Sequence, residues 1–255
     1  MSRAAVLAKD GKIYRAPFGE SKVLRIDPEN GKVEKVGPDL GCGGYKFQTA
    51  VLVKDGTIYC PPVSAARVLR IDPKSGAVEQ VGPDLGSGEY KFWAAVLAKD
   101  GKIYCPPDGA SKVLRIDPES GVVEQIGPDL GSAENKYKAA VLAKDGRIYC
   151  PPSGASKVLR IDPKSGTVEH VGPDLGSGSF KFGAALLGKD GRIYCPPDFA
   201  SKVLRIDPDP DPESVTVEHV GPDLGAKGNK FRGAVLVEDG AIYCPPVGAS
   251  KVLRI

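Results

Sequence analysis

Short segments rich in apolar residues alternate with turn residues along the whole chain. Between residues 94 and 126 such segments run over Ala94–Ala98, Lys102–Cys105, Lys112–Asp117 and Val122–Ile126, separated by Asp-Gly, Pro-Pro and Ser-Gly pairs. Segments of this length are typical of β-strands. Asp-Gly is a strong hairpin signal, and proline ends a strand because it cannot donate to a ladder. No segment keeps a helical period, so the pattern predicts an all-β protein with four short strands in this stretch.

The same four-strand pattern recurs through the chain. The glycine of the Asp-Gly turn follows at spacings of 45, 45, 45, 45 and 49 residues, the last including a four-residue insertion near Asp209. Four strands in a repeat of about 45 residues are typical of a propeller blade. A parallel β-solenoid is the weaker alternative, because its coils are usually shorter and lack two hairpins per repeat. The period predicts a six-bladed β-propeller in a single domain, 1–255, with blades at about 3–47, 48–92, 93–137, 138–182, 183–231 and 232–255.

The number of strands predicts an incomplete last blade. The final repeat ends with a third strand, Lys251–Ile255, so the sixth blade should lack its outer strand. An unpaired edge invites another strand, and two such edges could pair antiparallel across a twofold axis. We therefore predict a weak homodimer through 251–255, with a monomer whose last blade has three strands as the alternative.

Each repeat has the order Asp-Gly, Ile-Tyr, Val-Leu-x-Ile-Asp and Gly-x-Val. This order resembles propellers of the NHL and YVTN-repeat type over nearly the whole chain, and it departs from WD40 repeats because no Trp-Asp pair occurs. The resemblance implies a propeller fold. It also implies a role as an interaction scaffold, although some relatives are enzymes. Repeats this similar indicate either recent amplification or a designed repeat protein.

The composition and charge of the chain limit the classes of partner that we expect it to bind. Hydrophobic residues make up 41% and charged residues 26% of the chain, as in globular proteins. With 35 basic and 32 acidic residues, the net charge is only +3. A charge this small does not indicate binding to nucleic acid. No apolar run approaches the roughly 20 residues of a spanning helix, and no signal peptide precedes the first repeat. We expect a cytoplasmic protein with no membrane or nucleic-acid partner.

The cysteines are predicted to be buried thiols. Equivalent positions in adjacent blades should lie roughly 10 Å apart. A disulfide needs Cα atoms within about 7 Å, and a metal ion needs ligands at about 2.3 Å. The repeat geometry therefore predicts neither a disulfide nor a metal site. Five cysteines share one repeat position and the sixth lies in a loop: Cys60, Cys105, Cys150, Cys195 and Cys244, with Cys42 apart.

Nothing in the sequence indicates a catalytic centre, a metal or a cofactor. His170 and His219 are copies of one fourth-strand position and are expected on a solvated face. The recurring aspartates are expected to accept hydrogen bonds within their turns. The insertion at Asp207–Glu213 could bind a cation weakly, although an exposed acidic tip is the simpler interpretation. These aspartates are Asp27, Asp72, Asp117, Asp162 and Asp207 in one turn, and Asp39, Asp84, Asp129, Asp174 and Asp223 in another.

A recurring lysine gives a sharper hypothesis. It stands just before each inner strand, so five copies could form a basic ring at the mouth of the propeller channel and hold a small anion. Alternatively, each lysine pairs with a nearby repeat aspartate at the surface. The five lysines are Lys46, Lys91, Lys136, Lys181 and Lys230.

Positions that vary between repeats are the remaining clue. They lie on return loops, which share one face in a propeller, and diversity on a uniform frame is typical of a binding surface or of relaxed drift. Besides the five lysines, we name Gln48, Trp93, Lys138 and Arg232, two residues after a lysine, as candidate ligand-binding residues. Gly183 holds that position in another repeat, and Arg3 stands at the start of the first. Two other loop positions vary as Phe18, Val63, Asp108, Ser153, Asp198 and Val247, and as Tyr45, Tyr90, Asn135, Phe180 and Asn229.

The sequence therefore favours a non-enzymatic scaffold or binding module, natural or designed, with a protein or small-anion ligand on the loop face. The first alternative is a small-anion binder at the lysine ring. The second is a propeller hydrolase or lyase with a metal in the channel.

Overall fold

The chain forms six antiparallel sheets, one from each repeat. The computed structural model describes residues 5–86, 88–209, 211 and 214–255, so Arg3 lies outside the described residues. The chain divides between Gln125 and Ile126 into two compact units, a first and a second. Each sheet lies within the range expected for its blade, while the single-domain organisation stays a prediction.

The first three sheets have four strands each, in chain order. Their strands are β1 (Ala5–Leu7), β2 (Ile13–Arg15), β3 (Val23–Ile26) and β4 (Val33–Val36); β5 (Val51–Leu52), β6 (Ile58–Cys60), β7 (Val68–Asp72) and β8 (Ala77–Val81); β9 (Val96–Leu97), β10 (Ile103–Cys105), β11 (Val113–Ile116) and β12 (Val123–Ile126).

The fourth and fifth sheets repeat this arrangement, and the sixth has three strands. Their strands are β13 (Val141–Leu142), β14 (Ile148–Cys150), β15 (Val158–Ile161) and β16 (Val168–Val171); β17 (Leu186–Leu187), β18 (Ile193–Cys195), β19 (Val203–Asp207) and β20 (Thr216–Val220); β21 (Val235–Leu236), β22 (Ile242–Cys244) and β23 (Leu253–Arg254). The prediction of an all-β, six-bladed β-propeller with an incomplete last blade is confirmed.

The inner strands are shorter than the apolar pattern predicted. Only Val96 and Leu97 of the predicted segment Ala94–Ala98 pair with β10, opposite Tyr104 and Ile103. The other three strands of this blade match their predicted segments to within one residue at each end. The hydrogen-bonded part of the inner strand is therefore shorter than the apolar segment that contains it.

The second strand of each sheet supplies much of the core. In the first unit Cys60 packs with Ile58, Leu69 and residues of the preceding blade such as Tyr14. All five cysteines at this position are buried and free, as predicted, and Cys42 is exposed. Burial raises the pKa of the Cys60 thiol to about 12 and that of Cys244 to about 11, which makes these thiols inert packing groups.

The repeat aspartates other than Asp207 accept hydrogen bonds within their turns, as predicted. Asp207 accepts from Arg192 Nε at 2.9 Å. Asp117 accepts from the backbone N–H of Glu119 (3.1 Å), and Asp129 accepts from that of Gly131 (2.7 Å). The carbonyl of Asp209, in the insertion, accepts from the guanidinium of Arg147 at 3.3 Å. Pro210, Pro212 and Glu213 lie outside the described residues, so the predicted acidic tip stays a prediction. Within the described ranges, no group of three or more acidic, histidine or cysteine side chains is placed to hold a metal, and no helix could span a membrane.

Candidate functional site

Backbone hydrogen bonds through two repeat positions connect neighbouring blades within each unit. One position is the recurring lysine, and the other is the third residue after the second strand. In the second unit, the N–H of Lys181 donates to the Ser153 carbonyl (2.9 Å), and the N–H of Asp198 donates to the Lys181 carbonyl (2.9 Å). The N–H of Lys230 then donates to the Asp198 carbonyl at 3.0 Å. These bonds hold the variable side chains in a fixed register. We call these positions the belt: Phe18, Lys46, Val63, Lys91 and Asp108 in the first unit, and Lys136, Ser153, Lys181, Asp198, Lys230 and Val247 in the second.

The belt lysines use their ammonium groups within their own loops. All five are buried, with 4–7% of each residue exposed. Lys91 donates to the carbonyls of Gly86 (2.9 Å) and Gly88 (2.7 Å), and Lys181 donates to the corresponding carbonyls of its own loop at 2.9 and 2.7 Å. Burial lowers the pKa of Lys91 and Lys181, partly opposed by a nearby aspartate. The lysine therefore recurs because its loop recurs, and a small anion there would compete with carbonyl oxygens.

We expect Lys181→Met to lower the free energy of unfolding by about 2 kcal/mol, because the carbonyls of Gly176 and Gly178 lose a charged donor. Urea unfolding would measure this change, with Lys164→Met as the control because Lys164 is exposed. Phosphate should stabilise the Lys181→Met and parent proteins equally. If Lys181→Met were as stable as the control but lost a saturable response to phosphate, the anion-ring hypothesis would be correct.

The first unit carries a group of neighbouring rings beside its belt. The ring centroids of Phe18 and Tyr45 are 4.8 Å apart, those of Tyr45 and Tyr90 5.4 Å, and those of Tyr90 and Trp93 6.3 Å. We call these four residues the aromatic cluster. Tyr45 is 42% exposed, and Tyr90 and Trp93 are half-buried. The cluster thus presents ring faces and edges to solvent, as ligand sites commonly do.

Two residues of the aromatic cluster have a left-handed backbone conformation. Tyr45 has φ 61° and Tyr90 has φ 54°, and the same repeat position holds Asn135 and Asn229 in other blades, at 62° and 57°. Asparagine tolerates this conformation well, whereas a bulky side chain there is strained. Strained residues of this kind cluster at functional sites, which makes the tyrosines candidates for ligand contact.

The second unit carries polar side chains at the equivalent positions. Asp198 is 3% exposed, and its Oδ2 accepts from Arg232 Nε at 3.0 Å. Ser153 is fully buried, and the Lys138 ammonium lies 4.6 Å from the centroid of the Phe180 ring. We call Lys138, Ser153, Asp198 and Arg232 the polar cluster. Its formal charge is +1, from two cations and one carboxylate.

The predicted site residues do not form one group in the structure. Trp93 belongs to the aromatic cluster, and Lys138 and Arg232 belong to the polar cluster. Gln48 is half-buried, and the hydroxyl of the next residue, Thr49, donates to the Trp93 carbonyl at 2.8 Å. The five belt lysines donate to carbonyls of their own loops.

Sequence reasoning missed two features. Ser153 and Asp198 were noted only as variable loop residues, although burial at belt positions makes them candidate ligand contacts. His170 and His219 are exposed, as predicted for a solvated face. The sequence did not predict that His170 Nε2 lies 3.0 Å from the hydroxyl of Tyr137, which is fully buried. Partial burial of the imidazole lowers the pKa of His170. The signal was present, because Tyr137 stands where the other repeats have phenylalanine.

Solved structures similar to this chain are propellers that include enzymes. A virginiamycin B lyase from Staphylococcus aureus matches with a TM-score of 0.72 and 15% identity, over 98% of this chain and 79% of the other. A streptogramin B lyase matches at 0.69 and 14%, over 99% and 78%. A proposed 6-phosphogluconolactonase from Bacteroides uniformis matches at 0.65 and 16%, over 98% and 79%. At this identity the likeness shows the fold alone.

These matches overturn the expectation that the chain is not an enzyme. That expectation had two grounds. The sequence showed no group of candidate catalytic residues that differs from the repeated pattern, and propellers of this kind act mostly as scaffolds. The matched lyases have the same fold and carry catalysis, so the repeat architecture gives no ground for excluding it.

No curated protein matches the chain. A family model described as a repeat of unknown function matches residues 49–237, which is well over half of the chain. Together with the propeller fold and the 45-residue period, this match shows that the chain belongs to the repeat family of unknown function DUF6923.

Proposed function

We propose that this propeller is a binding module that recognises a small molecule through side chains beside its belt, and that the aromatic cluster contacts a ring of that ligand. The observation that carries the proposal is the set of adjoining rings of Tyr45, Tyr90 and Trp93, which are partly exposed and pack beside the buried ring of Phe18.

The constant frame supports this proposal. In the first unit, the N–H of Val63 donates to the Lys46 carbonyl (2.8 Å), and the N–H of Lys91 donates to the Val63 carbonyl (2.8 Å). The backbone beside the cluster is therefore hydrogen-bonded before any ligand arrives. A preformed site loses less conformational entropy on binding than one that must become ordered.

The chemistry of the cluster favours a ring-bearing ligand. Aromatic side chains gain about 0.5–1.5 kcal/mol per ring pair beyond the burial of area, and small-molecule sites are commonly lined with them. One matched lyase structure contains quinupristin, so a propeller of this fold accommodates a small molecule. A cytoplasmic location and the absence of nucleic-acid and membrane partners stay predictions.

The only tryptophan, Trp93, reports directly on this site. We expect titration with phenyl glucoside, which carries an aromatic and a sugar ring, to change the Trp93 emission in a saturable way. Tyr90→Ala should weaken the response about tenfold, because Tyr90 adjoins the Trp93 ring.

The matched control is Tyr243→Ala, which removes an exposed tyrosine from β22 and should leave the titration unchanged. A panel of ring-bearing compounds that includes quinupristin would follow the first probe. If none gives a saturable change, or if Tyr90→Ala responds like the parent, the aromatic cluster is not the ligand contact.

A further inference from the structure

The third strand of the sixth sheet, β23, has one open edge. Among the described strands it pairs only with β22, whereas every other third strand lies between a second and a fourth strand. Ile255 exchanges two backbone hydrogen bonds with Ile242, each at 2.9 Å. Because antiparallel pairs alternate, the backbone N–H and C=O groups of Val252 and Arg254 point away from β22, toward the open edge. Another strand can therefore add to the sheet here.

The five complete sheets show which charge such a strand carries. In each of them the arginine of the third strand forms an ion pair with a glutamate of the fourth strand, as Arg205 does with Glu218. Arg254 occupies the position of Arg205, because Arg205 lies opposite Tyr194 and Arg254 lies opposite Tyr243. Arg254 is exposed, and no carboxylate among the described residues pairs with it. The open edge therefore lacks a glutamate.

Apolar contacts between blades specify two further positions. A Cβ added to Gly127, after one fourth strand, would lie 2.7 Å from the Cβ of Val168, the first residue of the next fourth strand. A Cβ added to Gly221, which follows β20, would meet nothing within 4 Å. Val252 is exposed, whereas its counterpart Val203 is buried beside β20. A strand at the open edge should thus carry one valine over Gly221 and another opposite Val252.

The space beside the open edge is a basic groove. It has a volume of about 480 Å³, and Leu224 and Phe231 form part of its apolar lining. Lys227 and Lys251 line it as exposed cations, and none of the described residues that line it is acidic. Two exposed cations and Arg254 favour an acidic occupant.

The fifth sheet indicates where a second acidic residue would lie. His219 lies opposite Leu204 in the fourth strand, between the glutamate and the last valine. Burial and the charge of Lys202 lower the pKa of His219, so this position is within electrostatic reach of the lysine that precedes the third strand. Lys251 precedes β23 in the same way. An acidic residue at this position would therefore be attracted to Lys251.

We propose that the open edge of the sixth sheet binds an extended acidic segment of a partner protein, with the pattern Val-Glu-Glu-Val, by strand addition. The first glutamate pairs with Arg254, the second lies near Lys251, and the two valines pack over Gly221 and opposite Val252. A second copy of the chain fits less well, because its own edge brings Lys251 and Arg254 and no acidic residue. This surface shares no residue with the aromatic cluster, so the two proposals are tested separately.

The peptide Thr-Val-Glu-Glu-Val-Gly, with blocked termini, tests this proposal in a calorimetric titration of the whole chain. We expect saturable binding of one peptide per chain. The matched peptide Thr-Glu-Val-Val-Glu-Gly has the same composition and charge, but it places valine opposite Arg254 and glutamates at the apolar positions. It should bind at least about tenfold more weakly. Equal affinity for the two peptides would mean that charge alone attracts them, and the proposal would fail.

Arg254→Glu tests the register of the bound strand. The variant should bind the first peptide about tenfold more weakly, and Thr-Val-Lys-Glu-Val-Gly should recover most of this loss because opposite charges face each other again. Lys164→Glu makes a charge reversal at an exposed residue of the fourth blade and should bind like the parent. Circular dichroism would check that both variants fold. If Arg254→Glu bound both peptides as the parent does, the proposed register would be wrong.

Light scattering during the titration tests the second copy as the occupant. Monomers that bind the peptide, or dimers that the peptide dissociates, would support the proposal. Dimers that persist at saturating peptide without binding it would mean that a second copy covers the edge. That result, or monomers that bind no peptide, would overturn the proposal.

Discussion

Gly172→Ala is expected to lower the free energy of unfolding by about 3 kcal/mol, which is the largest single effect that we anticipate. Gly172 follows β16 with φ +75°, a region that disfavours a side chain. A Cβ there would lie 2.6 Å from Cγ2 and 2.7 Å from Cβ of Val217, in the fourth strand of the next blade. The Cβ of Val217 cannot move without shifting β20, so the cost combines backbone strain with overpacking.

Gly221 supplies the matched control in the same unit. It follows β20 with φ +77°, yet a Cβ there would meet nothing within 4 Å, because the described sixth sheet has no fourth strand. Gly221→Ala should therefore cost only the backbone strain, about 1 kcal/mol. Equilibrium urea unfolding of both variants would measure the difference. Equal losses would mean that the contact between adjacent fourth strands contributes nothing.

Adding a fourth strand to the sixth sheet is expected to raise the melting temperature by about 4–8 °C, which corresponds to about 2 kcal/mol. The added segment would be a turn and a copy of Thr216–Val220 placed after Ile255. It would cover Val252, which is 57% exposed, whereas its counterpart Val203 is 4% exposed beside β20. Apolar burial is the source of the gain.

The surface available to the added strand is visible as a groove. Beside β23 a groove of about 480 Å³ is lined by Phe231, Val252 and Leu253, among others. The equivalent groove in the third blade has about 230 Å³, and Gln125 from its fourth strand forms part of the lining. A fourth strand should therefore fill about half of this space.

The charge on the added strand provides its control. In the fifth blade Arg205 pairs with Glu218 across β19 and β20, and Arg254 occupies the position of Arg205 in the sixth. The glutamate of the added strand should thus face Arg254. Lysine in its place should remove part of the gain, since like charges opposite each other destabilise a sheet. An extended chain that melts no higher than the parent would contradict the assignment of the edge.

The weak homodimer through Lys251–Ile255 stays a prediction. Light scattering at high protein concentration would detect it, and the added strand should abolish it by covering the edge. A parent protein that is monomeric throughout would exclude the homodimer.

The repeat period and the turn chemistry determined the fold from sequence. Asp-Gly turns, proline stops and alternating apolar segments are local signals, because each hydrogen bond that they specify joins residues close in the chain. Asp117 and Asp129 illustrate this, since both accept from a backbone N–H two residues later. The burial of the repeat cysteines followed from the same periodicity.

Only the tertiary structure decided the site. Whether the Lys181 ammonium contacts an anion, an aspartate or a carbonyl depends on the conformation of its loop. In the structure it donates hydrogen bonds to two carbonyls of that loop. Tyr45 and Tyr90 stand 45 residues apart in the chain, yet their rings lie 5.4 Å apart. Asp198 meets Arg232 through the register of two blades. Such contacts arise from packing between repeats, and residues adjacent in the sequence do not specify that packing. The sequence therefore identified some of these side chains as candidates but did not identify their partners.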